Sequence, residues 1–215
     1  MKLIHLHILV TCMIENIDSL FKQISLGVYV IGVSDGERHN AFTAACVMQV
    51  SFNPPLLAIS INPEHYSYQL LKAGGICTVN VLSLDQSAIA EHFGSSAKDK
   101  MAGFQWQKGT TGAPILSESL AYFDCQVSHY TDAGDHKIAV CKVIAAARLN
   151  EGCPLLYNQT GDMDGSSELY KNLVDQIRGE GCCGGMTGLK DFFYVIGAAD
   201  LAETVLVVLA NEFAL

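Results

Sequence analysis

The sequence predicts a mainly β protein: an antiparallel barrel with peripheral helices, followed by a helical extension. Two observations carry this. Six or more segments rich in Val, Ile and aromatic residues follow one another with turn residues between them and few helical stretches. That is the pattern of an antiparallel barrel rather than of a doubly wound sheet. In addition, no G-x-G-x-x-G follows any of these segments, so a dinucleotide-binding βαβ unit has no support.

The elements follow in order. Apolar residues at 14, 17, 20, 21 and 24 have helical spacing over Ile14 to Ile24. Leu26 to Val33 is a strand, turned at Asp35-Gly36. Ala41 to Phe52 is a second strand, stopped by Pro54-Pro55, and Leu56 to Ile61 a third, buried on both faces. Tyr66 to Ala73 is a helix closed by Gly74-Gly75. Ile76 to Leu82 is a fourth strand, Leu84 to Phe93 a helix, and Gly94 to Leu116 a long loop holding the single Trp106. Ala121 to Tyr130 alternates, with Phe123, Cys125 and Val127 against Asp124, Gln126 and Ser128. Thr131 to Asp135 turns the chain into a partner strand, His136 to Leu149. After Tyr157 the composition changes to a polar linker, a helix over Glu168 to Ile177, a Gly-rich loop with Cys182-Cys183, and a last helix behind an Asp200-x-x-Glu203 capping box. The expected organisation is therefore a leader or extra strand at 1–13, one domain at 14–158 and a helical extension at 159–215.

Composition bounds the partners. Half of the residues are hydrophobic and 16% are charged, against roughly 25% in an ordinary soluble domain. The chain has too much apolar surface for disorder, and the excess suits a subunit interface. The most apolar stretch, Phe192 to Leu209, is interrupted by Gly197, Asp200 and Glu203, which argues against a membrane span. The net charge of −9 and the absence of any Lys/Arg run speak against nucleic acid and against a basic membrane-surface helix. Eight cysteines without a C-x-x-C pair, scattered through apolar strands, read as buried thiols in a reducing cytoplasm, with no metal site. Met1 to Val10 has one Lys before a short apolar run, but two His interrupt it and no A-x-A cleavage site follows.

The block from Asn40 to Leu82 holds the candidate site. Thr43, Gln49 and Ser51 share one parity of the second strand, and Phe42, Ala44, Cys46, Met48 and Val50 the other. Small and polar residues on one face suit a flat polar ligand, as they also suit a solvated strand face. Asn62-Pro63 is a helix-start signal, Asn as N-cap and Pro in the first turn. The free N–H groups of that helix start form an anion site, apt for a phosphate, as well as an ordinary helix end.

These residues, taken in order, resemble a known family. The matching pieces are Gly27-Val28-Tyr29-Val30-Ile31-Gly32, Thr43-Ala44-Ala45-Cys46, Gln49-Val50-Ser51-Phe52-Asn53-Pro54-Pro55-Leu56, Asn62-Pro63 with His65-Tyr66-Ser67-Tyr68, Thr78-Val79-Asn80-Val81-Leu82, and Gly134-Asp135-His136. Over residues 14 to 158 the chain is similar to the flavin reductase-like family. That resemblance implies an FMN-binding split β-barrel of Greek-key-like topology, usually a homodimer. It implies FMN, with FAD as the other option, as cofactor and NADH or NADPH as substrate. It places Thr43, Ala44, Ala45, Cys46, Gln49 and Ser51 along the isoalloxazine and ribityl region, and Asn62, His65 and Ser67 at the phosphate end. Asn80, Val81 and Leu82 fall on the ring side, and His136 near flavin and nicotinamide. Cys46 stands where Ser is common, and a thiol is a weak hydrogen-bond donor.

Three functions follow from this stage. One is an NAD(P)H:flavin oxidoreductase that passes electrons or reduced flavin onward, with a protein electron acceptor among its possible partners. Another is an FMN electron carrier without nicotinamide activity. The third is a flavin-binding structural or assembly protein. Hydride transfer to a flavin needs no nucleophile and no acid–base dyad, and no triad or paired carboxylate is found.

Overall fold

The computed structural model describes residues 17–96 and 100–170. The chain divides into two compact units, Lys22–Asp164 and a second made of Met1–Phe21 with Gly165–Leu215. Of the second unit the described part is α1 (Ile17–Phe21) and a helical turn at 166–170, where the rings of Phe21 and Tyr170 stack 5.7 Å apart. The remainder of the expected helical extension, Cys182-Cys183 and the leader at 1–13 lie outside the described residues.

The larger unit is an antiparallel barrel. It is built from β1 (Tyr29–Ser34), β2 (His39–Ala44), β3 (Val47–Phe52), β4 (Pro55–Ile61), β5 (Ile76–Val81), β8 (Ala121–Ala133) and β9 (His136–Arg148), in the order β2-β1-β5-β8-β9-β4-β3. A separate two-stranded ribbon, β6 (Trp106–Lys108) with β7 (Pro114–Leu116), and two helices, α2 (Tyr66–Gly74) and α3 (Ser87–Gly94), complete it. The two edge strands, β2 and β3, are consecutive in the chain, so the sheet curls until its edges meet at one corner, the closure of a split barrel.

The expected single strand from Ala41 to Phe52 is thus two strands, broken at Ala45-Cys46. Val47 N–H turns back onto the Ala45 carbonyl at 2.8 Å. β2 pairs with β1 and β3 with β4, so the chain changes partner at the corner. A bulge between Gln49 and Ser51 shifts the register again. The alternation read across the whole segment does not survive these two irregularities. Met48 and Val50, on the apolar parity of the segment, are exposed, and so is Phe52, by 88%.

β1 shows why its sequence is a continuous apolar run: both of its faces are covered. Ile31 and Val33 point into the barrel with Phe42, Ile59, Val79 and Cys141, and α2 adds Leu70 and Leu71 to the same core. Val28 and Val30 point the other way, onto Ala90 and Phe93 of α3, Leu116 of β7 and Leu82. α2 ends as predicted, on Gly75 in the left-handed region (φ 66°), whose N–H returns to the Leu71 carbonyl. The helix begins at Tyr66, as expected, but its N-cap is His65, without a side-chain cap, and not Asn62. Asn62 instead accepts the Glu64 N–H at 2.9 Å and shapes the preceding turn.

The long loop expected over Gly94 to Leu116 contains the β6–β7 ribbon. Trp106 anchors it: the indole N–H donates to the Met101 carbonyl at 3.0 Å, and the ring meets Phe93 edge-on. The β8–β9 register shifts twice, at Asp124/Cys125, where Ile144 of β9 is the extra residue, and at Val127/His129, where Ser128 of β8 is; against β5 the alternation of β8 is unbroken from Ala121 to Gln126. Asp124 is nonetheless buried, on the face opposite Cys125, because the loop at Thr111 covers that face. Its carboxylate accepts the N–H and the hydroxyl of Thr111. β8 also runs on through Thr131 to Ala133, so the hairpin turn is the tighter Gly134-Asp135.

Candidate functional site

The corner between β2 and β3 organises the predicted residues. Two cross-strand rows lead to it: Asn80 on β5, Val30 on β1 and Thr43 on β2, then Val81, Tyr29 and Ala44. From the corner, the Cys46 carbonyl accepts the Ser60 N–H of β4 at 3.0 Å. β4 then runs into the Asn62–Ser67 segment, and α2 is tied back to β2 by Asn40, whose amide donates to the buried Ser67 hydroxyl at 3.1 Å. Ile61 pairs with Lys137, which brings the start of β9, and hence His136, next to the end of β4.

Individual roles follow from burial and hydrogen bonding. Thr43 is half-buried, and its hydroxyl donates at 2.6 Å to the Ala90 carbonyl of α3. The proton is therefore engaged, and only lone pairs remain for a ligand. Ala44 and Ala45 are half-buried and Cys46 is exposed. Partial burial, and then the negative charge of Asp164, pushes the Cys46 thiol above its ordinary pKa. Gln49 is exposed, with its amide turned to the Ser51 carbonyl, and Ser51 is half-buried. His65 is exposed at the head of α2. His136 lies beside the hairpin turn, its Nδ1 2.9 Å from Asp135 Oδ1, and this contact lowers the pKa of the Asp135 carboxyl.

Two residues of the expected ring side have other partners. Asn80 is completely buried: its amide donates to the Val30 carbonyl and to Thr78 Oγ1, both at 2.9 Å, and accepts the Leu116 N–H at 2.9 Å. Leu82 is completely buried in the core beneath α3. The Asn80 and Leu82 side chains thus face protein on every side, and only half-buried Val81 is partly open. Sequence reasoning did not single out Tyr29, which stands between Ala44 and Val81, or Asn40, the partner of Ser67. The signal for Tyr29 was present: a large aromatic at the head of an otherwise aliphatic strand.

The chemistry of this set fits a flavin mononucleotide. Small side chains at 44–46 let a flat ring approach the backbone, and Thr43 offers an acceptor. Beyond them, the first turn of α2 has N–H groups that no helical carbonyl can serve, which is the preference of a phosphate.

Comparison with known proteins bears on the same segment. The model of the flavin reductase like domain matches residues 21–166. The chain belongs to the flavin reductase-like family. The reductase subunit HsaB of a flavin-dependent monooxygenase from Rhodococcus jostii is 33% identical over 135 residues, covering 63% of this chain and 69% of the relative. The FMN reductase (NADH) RutF of Stutzerimonas stutzeri is 29% identical over 145 residues, covering 66% and 83%. Among solved structures, the NADH:FAD oxidoreductase SgcE6 of Streptomyces globisporus superposes with a TM-score of 0.61 at 28% identity, covering 66% of this chain and 86% of that one. The family makes this chain an oxidoreductase. Among the described residues, no helix is long and apolar enough to cross a membrane.

Proposed function

We propose that the chain is an NAD(P)H:flavin oxidoreductase with FMN, or alternatively FAD, held at the β2–β3 corner. The observation that carries this reading is the corner itself: three small residues, 44–46, seated by the Thr43–Ala90 bond on one side and the Cys46–Ser60 bond on the other. Family membership and the flavin reductases among the relatives support it.

When bound, the flavin supplies the hydride acceptor, so the protein's work is positioning. Ala44, Ala45 and Cys46 set the depth at which the ring lies. Thr43 accepts a hydrogen bond from it. Asn62 and His65 hold the phosphate with the head of α2, which buried Ser67 ties to β2 through Asn40. His136, fixed by Asp135, orients the incoming nicotinamide. A protein acceptor as partner belongs to the same reading, supported by the monooxygenase reductase subunit among the relatives.

The deciding experiment mixes FMN-loaded protein rapidly with NADH and, separately, NADPH. Bleaching of the visible flavin band by either nicotinamide is expected. No bleaching by both, with FMN still bound, overturns the reductase reading in favour of an electron carrier.

The homodimer belongs to the same proposal. Met48, Val50 and Phe52 on edge strand β3 are each exposed, apolar surface that a second copy can cover. Sedimentation of the full chain tests it, and a monomer at micromolar concentration refutes it.

A further inference from the structure

We infer that Asn80 is a positioning residue for the corner at Thr43–Cys46 rather than a contact of the flavin. The inference rests on the reading of that corner as the flavin site.

Asn80 has no exposed surface, and its amide joins three elements. It donates to the Val30 carbonyl of β1, and it accepts the Leu116 N–H of β7, each at 2.9 Å. Its second donor goes to Thr78 Oγ1, and the Thr78 hydroxyl donates in turn to the Pro114 carbonyl. Two side chains of β5 therefore clamp both ends of β7. The clamp holds β7 tightly against β1. A Cβ at Gly32 would lie 2.6 Å from the Thr78 hydroxyl and would collide with the Pro114 carbonyl.

The clamped strand is part of the seat beneath the corner. Leu116 shares one buried cluster with Val30, Ala41, Ala90 and Phe93. Ala90 is the residue whose carbonyl receives the Thr43 hydroxyl. Val30, held by Asn80, is the cross-strand partner of Thr43. The path from Asn80 to the corner is thus continuous: amide to β1 and β7, β7 to α3 through apolar packing, α3 to Thr43. Loss of the amide leaves the Leu116 N–H and the Val30 carbonyl without these partners. The seat then shifts even though no atom of Asn80 reaches a ligand.

The test uses the full chain stripped of flavin and titrated with FMN, with apo-protein melting measured alongside. The variants are Asn80→Ala, Thr78→Val, Thr43→Val and the double variant Asn80→Ala/Thr43→Val. Cys77→Ala, on the opposite face of β5 from Thr78 and Asn80, serves as a destabilising control. Asn80→Ala is expected to raise the FMN Kd about tenfold. Thr78→Val is expected to raise it less, and Cys77→Ala to lower the melting temperature without changing it. In the double variant the two losses are expected to be less than additive, because Thr43 already sits on a displaced seat. If Asn80→Ala does not fold, the isosteric Thr78→Val opens the same clamp from its other end and carries the test. Wild-type Kd in folded Asn80→Ala or Thr78→Val, or strict additivity with Thr43→Val, overturns the inference. Failure of the wild-type chain to bind FMN overturns the flavin site as well, and is recognised because it precedes any substitution.

Discussion

Replacing Thr43 by Val removes one oxygen and keeps the shape, so it isolates what the hydroxyl does. In the apo protein the hydroxyl donates to the Ala90 carbonyl at 2.6 Å from a half-buried position. A hydrogen bond of this kind contributes about 1 kcal/mol net, because water competes for both partners in the unfolded chain. In a protein of this size that corresponds to a melting temperature about 2–4 °C lower. The effect on the ligand is separate. With its proton engaged by α3, the oxygen can only accept, so any flavin atom it serves is a donor, an N–H of the ring or a ribityl hydroxyl. Losing that bond weakens FMN by roughly 1 kcal/mol, about fivefold in Kd. Thr43→Ser keeps the hydroxyl and is expected to retain most of the affinity. Calorimetric melting of the apo protein and fluorescence titration with FMN read the two effects independently. A Thr43→Val protein that melts lower but binds FMN like wild type would refute the placement of this hydroxyl against the flavin. The Ala90 bond would then be its whole role.

Three other expectations can be checked directly. Cys46 is exposed and its thiol is pushed up in pKa, so iodoacetamide should modify it slowly near neutral pH and faster in alkali, and saturating FMN should protect it; equal labelling with and without FMN, read by peptide mass mapping, counts against the corner as the site. The thiol of Cys77 is pushed well above its ordinary value near 9 by hydrogen bonds with Cys125 and Cys141 and by burial. Above that ordinary value the unfolded chain releases a proton that the folded chain keeps, so stability is full below it and falls as pH rises; urea midpoints should therefore drop in alkali, less steeply in Cys77→Ala, and a slope equal to wild type would refute this assignment. Phe52→Asp places a charge on the exposed edge of β3 and should shift the sedimentation of the full chain from dimer to monomer without lowering the melting temperature of the monomer, whereas an unchanged dimer would place the interface elsewhere.

The regular parts of the fold were legible because local chemistry and tertiary structure agree there. Gly75 closes α2 by adopting the left-handed conformation that glycine tolerates. β1 reads as an unbroken apolar run because two cores flank it. The failures share a different cause. Ala45-Cys46 holds no turn residue, and the chain breaks there because β2 and β3 have different partners, a fact of pairing and not of propensity. β6 and β7 are three residues each, and β7 is held by Thr78 and Asn80 from more than thirty positions upstream. Asp124 reads as a solvated alternation partner, yet it is buried because the loop at Thr111, thirteen positions upstream, covers its face of β8.

The candidate site shows the same limit in its polar residues. Thr43 and Asn80 both look like ligand groups on strands, since a hydroxyl or amide in a strand is as suited to a ligand as to another element of the protein. What lies beneath each one separates them. Thr43 keeps one free side above its bond to α3, whereas Asn80 has both donors and its carbonyl oxygen engaged inside. Once Asn80 and Leu82 are assigned to the interior, the corner retains little polar side-chain chemistry beyond Thr43. Ala44 and Ala45 have none, and the thiol of Cys46 is a weak donor held protonated by burial and by Asp164. On the proposed reading of the corner as the flavin site, recognition there rests on the backbone, with smallness as the requirement on the side chains. That accounts for Cys46 at a position where Ser is common: the two residues differ in hydrogen bonding, which the corner does not need from them, and agree in size, which it does.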